Sequence, residues 1–103
     1  MIRLTGLYKN TSNSEFDFDY YLSTHMPLVK TRLAEFGMGD FEVERGVEAA
    51  DGELAPYICI VHIEFLTKEG FKLGFERHGE ELSADVPNYT NIAPEMQISE
   101  IVD

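Results

Sequence analysis

Tyr21 and His25 stand four residues apart in FDYYLSTHMPLVKTRL, residues 18–33. On a helix that spacing puts both side chains on one face, where their polar tips can meet. His25 could act as acid or base near neutral pH. Tyr21 could orient it or a substrate. Phe18, Tyr21, Leu22, His25 and Leu28 or Val29 share that face, so the imidazole sits on an apolar stripe. The structural alternative is that His25 caps helix carbonyls freed near Pro27 and is simply buried. His62, in YICIVHIEF, shares a strand face with Ile58, Ile60 and Glu64. If that face lines a cavity, His62 and Glu64 are polar contacts for a substrate. Otherwise they form a pair that seals the strand end. His78 complements the dipole at a helix end. Asn88 and Tyr89 follow Pro87 in an irregular loop, and either bind a ligand or fix the turn.

Other chemistries lack their residues. The three histidines are far apart, and no HxH, HxxxH or CxxC spacing is present, so no metal site is expected. There is no GxGxxG, GxSxG or Walker-type loop, and no cofactor is expected. Cys59 is the single cysteine, which excludes an internal disulfide. It lies in an apolar run and reads as a small buried residue.

The net charge of −11 disfavours nucleic acid, whose phosphates require lysine and arginine, and also anionic membrane surfaces. The longest apolar run is too short to span a bilayer, and the N-terminus does not read as a signal peptide. A cytoplasmic location is the expectation. The length of 103 residues suits one domain, residues 1–103, and 44% hydrophobic residues give it a core.

The elements that must hold these residues follow from periodicity and punctuation. IRLTGLY (2–8) is a strand. Ser14 and Asp17 have capping-box spacing, which starts a helix there. Pro27 predicts a break near His25 and Met26, followed by a second helical segment that ends at Phe36 with Gly37 as its left-handed stop. FEVERGVE (41–48) alternates as a strand with one wet face, and Asp51–Gly52 turns the chain. YICIVHIEF (57–65) is the strongest strand, apolar on both faces. Thr67 caps a helix over KEGFKLGFERHGEEL with Phe71, Phe75 and His78 on one stripe, and EMQISEIV (95–102) is the last strand. This order predicts an α+β, ferredoxin-like βαββαβ fold: a four-stranded antiparallel sheet with both helices on one face. The apolar second face of the third strand then calls for a partner, and the simplest is a second copy.

With that fold in view, FDYYLSTHMPLV resembles the signature of the EthD-like family of the dimeric α+β barrel superfamily, at Phe18, Tyr20, Tyr21, His25, Pro27 and Leu28. APYICIVHIEF is similar to the family's third strand. FERHGEELSADVPNYTNIAPEMQISEI resembles the C-terminal half of small bacterial members, at Phe75, His78, Pro87, Asn88, Tyr89, Thr90, Ile92, Pro94, Gln97, Ile98 and Ser99. The resemblance implies a homodimer, and a family name associated with degradation of a fuel ether.

The expectation drawn from residues and resemblance together is an enzyme acting on a small hydrophobic or aromatic metabolite. It would work by cofactor-independent, proton-transfer-assisted oxidation, isomerisation or cyclisation. His25, Tyr21 and His62 are the catalytic candidates; Glu64, His78, Asn88 and Tyr89 are the substrate-binding candidates. Two other readings stay open: a ligand-binding or accessory protein that uses the same pocket without catalysis, and a structural scaffold with a filled core.

Overall fold

The computed structural model describes all 103 residues. Strands β1 (Ile2–Lys9), β2 (Met38–Arg45), β3 (Tyr57–Phe65) and β4 (Glu95–Glu100) form one sheet in the order β2-β3-β1-β4. Every neighbouring pair is antiparallel. Leu4 pairs with Ile63 and Thr5 with His62 across the central β1–β3 ladder. The predicted βαββαβ order and the four-stranded antiparallel sheet are what the chain adopts. β2 begins and ends three residues before the predicted 41–48 stretch, so Val47 lies beyond the ladder, 87% exposed.

The helical layer starts at α1 (Phe18–Tyr20), where the Asp17 side chain accepts a hydrogen bond from the Tyr20 backbone N–H at 3.0 Å. Ser14 has no part in this cap. Its hydroxyl instead donates to the Lys9 carbonyl at 2.8 Å and closes the preceding loop. The predicted break at His25–Met26 is also corrected. The backbone runs from α1 through a π-helical turn (Tyr21–His25) into α2 (Met26–Leu33), and the Met26 N–H donates to the Tyr21 carbonyl five residues back. Pro27 brings no N–H, and in a regular helix its ring would strike the carbonyl four residues earlier. One wide turn ahead of it absorbs both problems without ending the helix. The same turn changes the phase of the apolar stripe: Tyr21 and His25 are buried, whereas Leu22 is 50% exposed. A 3-10 turn (Ala34–Phe36) follows, and Gly37 at φ +96° ends the segment as predicted.

α3 (Lys68–Ala84) starts at Thr67, whose hydroxyl accepts from the Gly70 N–H at 3.0 Å. It crosses α2 closely. A Cβ at Gly74 would lie 3.0 Å from both Leu33 Cδ2 and Phe36 Cγ, so any side chain there would push these neighbours back by a few tenths of an ångström. No helix is long and apolar enough to cross a membrane.

The core lies between these helices and one face of the sheet. Leu4, Tyr8, Cys59, Val61, Ile63 and Phe65 point into it, against Tyr21, Met26, Val29, Leu33, Phe71 and Leu82. Phe65 and Leu33 are 0% and 2% exposed, and truncation of either to alanine would cost about 2–5 kcal/mol. The opposite face carries Arg3, Thr5, Leu7, Ile58, Ile60, His62 and Glu64, all half-buried although no helix covers them.

Candidate functional site

His25 closes the π turn and is 6% exposed. Its Nδ1 lies 2.9 Å from Asp85 Oδ2. Asp85 is the C-terminal cap of α3, and its other oxygen accepts from the Tyr20 hydroxyl at 2.6 Å and from Asn88 Nδ2 at 2.9 Å. Burial pushes the Asp85 carboxyl up, but hydrogen bonds from Tyr20, Asn88 and His25 outweigh it and hold the group below the usual carboxylate range. Asp85 is therefore a carboxylate at neutral pH. A carboxylate only accepts, so its bond to His25 assigns the ring proton to Nδ1. Burial lowers the His25 pKa, and the neighbouring Asp85 offsets only part of that. The ring is thus neutral at neutral pH, with Nε2 bare. Arg3 Nε is the one buried side-chain polar atom without a partner. His25 Nε2, which has no protein partner either, must therefore reach open space.

His25 lines a cavity of about 310 Å³ between the helices and the sheet. Fourteen of its 17 lining residues are hydrophobic, and the others are His25, Ser83 and Pro94. No lysine, arginine, aspartate or glutamate lines it. Its polar end is aromatic. The His25 ring stacks on Tyr21 at 5.4 Å and 17°, and Tyr89 tilts against His25 at 4.6 Å. The Tyr8 and Tyr89 hydroxyls share a hydrogen bond of 2.8 Å. Burial raises the pKa of all three phenols, with the neighbouring phenol charges adding to it for Tyr21 and Tyr89. They are neutral donors near neutral pH. The Cys59 thiol is pushed up to about 12, first by burial and then by Glu44, so it is an inert core group.

The structure brings His25, Tyr21 and Tyr89 together at this cavity and leaves the other candidates outside it. His62 and Glu64 lie on the opposite face of the sheet. Side chains alternate along a strand, so Val61 and Ile63 reach the cavity and His62 between them cannot. His62 instead stands 3.3 Å from Thr5 Oγ1 and 3.5 Å from Glu44 Oε1. His78 is half-buried beside Phe36, with its Nδ1 4.0 Å from Glu81. α3 continues to Ala84, so His78 is not in its last turn, and the expected dipole role falls away with the cavity role. Asn88 faces Asp85 rather than the cavity. No group of three or more histidine, cysteine, aspartate or glutamate side chains is arranged to hold a metal ion.

Sequence reasoning missed Asp85 and Tyr8. A signal for Asp85 did exist: an acidic residue at a helix C-terminus opposes the dipole and needs donors to hold it there. Tyr8 gave none beyond strand parity.

No protein-family model and no curated protein matches the chain. Solved structures do. An EthD-like protein from Ralstonia eutropha JMP134 superposes with a TM-score of 0.91 at 35% identity, covering 99% of this chain and 92% of its own. The chain belongs to the EthD-like family. A second EthD family protein, from Bacillus halodurans C-125, superposes with a TM-score of 0.68 at 21% identity, covering 99% of both chains. A dimeric ferredoxin-like protein from an uncultured marine organism gives 0.60 at 14% identity, covering 99% of this chain and 94% of its own. These last two likenesses extend the EthD-like fold of this chain to more distant sequences.

Proposed function

We propose that this EthD-like protein is a small-molecule enzyme in which His25 is the general base. It would abstract a proton from a hydrophobic or aromatic substrate to assist oxidation, isomerisation or cyclisation. One observation carries the reading: a neutral imidazole, fixed by Asp85 and bare at Nε2, opens into an apolar cavity. Tyr21 holds the ring by stacking, and the Tyr8–Tyr89 pair supplies a donor for negative charge that develops on a substrate oxygen. The proton transfer itself moves a C–H proton to His25 Nε2 and uses only groups of the chain; the oxidation branch would in addition pass its two electrons to dioxygen as co-substrate. A scaffold with a filled core would leave no such chamber.

The same reading includes a homodimer formed through the open sheet face. Support comes from Leu7, Ile58, Ile60 and the unpartnered Arg3 Nε on that face, and from the dimeric ferredoxin-like neighbour. A second copy would cover these groups.

The test is deuterium incorporation from deuterium oxide into β-tetralone, a bicyclic ketone with acidic C–H bonds. The wild-type protein is expected to accelerate exchange, and His25→Ala to lose about a hundredfold of that acceleration. Exchange no faster than in buffer, or unchanged in His25→Ala, removes His25 as a base and leaves the cavity a site for binding alone.

A further inference from the structure

We infer that the cavity takes a neutral, ring-sized apolar molecule bearing a weakly acidic hydroxyl, or its keto tautomer, and that it rejects carboxylates and phosphates. The inference rests on the reading of His25 as a base and adds the ligand's chemical class.

Size and lining set the body of the ligand. A cavity of about 310 Å³ is at the small end of ligand sites, and its walls are aliphatic and aromatic. One or two fused rings suit it. Charge sets what the ligand lacks. No cationic side chain lines the cavity, and the nearest fixed charge behind His25 is the Asp85 carboxylate. An anion placed there would be desolvated without a counter-charge. A neutral imidazole gives it none.

The polar groups set what the ligand carries. His25 Nε2 accepts one hydrogen. Tyr8, Tyr89 and Tyr21 bring three hydroxyl hydrogens to one cluster, where the Tyr8–Tyr89 bond uses one and the Tyr21 hydroxyl against Tyr8 a second. The third is left to donate. The rings of His25 and Tyr89 are neighbours at 4.6 Å and both line the cavity, and in the proposal acceptor and donor sit at that end of it. A single hydroxyl oxygen satisfies both: it gives its hydrogen to Nε2 and accepts one from the phenol cluster. A hydrocarbon would leave both groups dry and unpaired.

The experiment is equilibrium dialysis of the full chain at neutral pH against three probes that share one ring system: β-naphthol, naphthalene and β-naphthoate. The expected result is that β-naphthol binds roughly tenfold or more tightly than either other probe. The double variant Tyr8→Phe/Tyr89→Phe and the single variant His25→Phe, each checked for native circular dichroism, should each reduce the advantage over naphthalene and leave naphthalene binding in place. β-Naphthoate binding as tightly as β-naphthol overturns the inference. So does naphthalene binding as tightly, or the absence of binding by all three. The two readings fail separately. Preference for β-naphthol without β-tetralone exchange retains the ligand class and removes the base. Exchange combined with preference for β-naphthoate retains the base and removes the ligand class.

Discussion

His25 Nδ1 and Asp85 Oδ2 meet at 2.9 Å across 60 residues of sequence. The contact ties the π turn of the first helical layer to the C-terminal cap of α3. Both groups are largely buried, with side chains 8% and 13% exposed, so neither can turn to water without a cost.

Asp85→Asn keeps the shape of that contact and removes its charge. The expected loss is about 2 kcal/mol of stability, the usual worth of a buried hydrogen bond to a charged group. Without the carboxylate the proton is no longer confined to Nδ1, and β-tetralone exchange should fall. Urea denaturation and nitrogen NMR of the imidazole check the two effects independently. An unchanged tautomer would show that Asp85 does not set it.

Stability should decline with acid in two stages. His25 is held below its unfolded value of 6.5, so the unfolded chain binds the proton first and the contribution is lost as pH falls from there through the folded value. Asp85 is held below 3.8 and loses its contribution in the same direction at lower pH. Urea midpoints measured downward from about pH 8 should fall in both ranges. His25→Gln should flatten the upper stage and shrink the lower one, which Tyr20 and Asn88 still support.

His62→Ala removes a side chain on the far face of the sheet. Turnover and probe binding at the cavity should be unchanged, while the proposed dimer should dissociate at lower dilution. Analytical ultracentrifugation across a concentration series measures the second effect. A lost β-tetralone exchange with an intact dimer would contradict the geometry.

Gly74→Val places a branched side chain where a Cβ alone already meets Leu33 and Phe36 at 3.0 Å. The helices must part, at a cost of about 1–3 kcal/mol. Thermal unfolding gives the magnitude, and a midpoint equal to wild type would mean that α2 and α3 do not depend on this crossing.

Strand and helix order was legible because its signals are local. Alternation in YICIVHIEF, the Thr67 cap and the Gly37 stop each act within a few residues. Two placements were not legible, and they have a common cause. Pro27 marks a disturbance, but a break and a wide turn both satisfy its missing N–H, and tertiary packing chooses between them. His62 lies on a strand apolar on both faces, so parity says that its neighbours lie opposite but not which face the helices cover. Asp85 was hidden for a further reason. Its donors, Tyr20 and His25, come from a segment that only the fold brings near.

β3 therefore presents two different environments along one backbone. Val61 and Ile63 line the cavity, and Ile60 and His62 lie on the face through which the dimer is proposed. The two sets can diversify independently as long as the ladder holds its register. A slip of a single residue would exchange them, turning the chamber polar and the outer face greasy in one step.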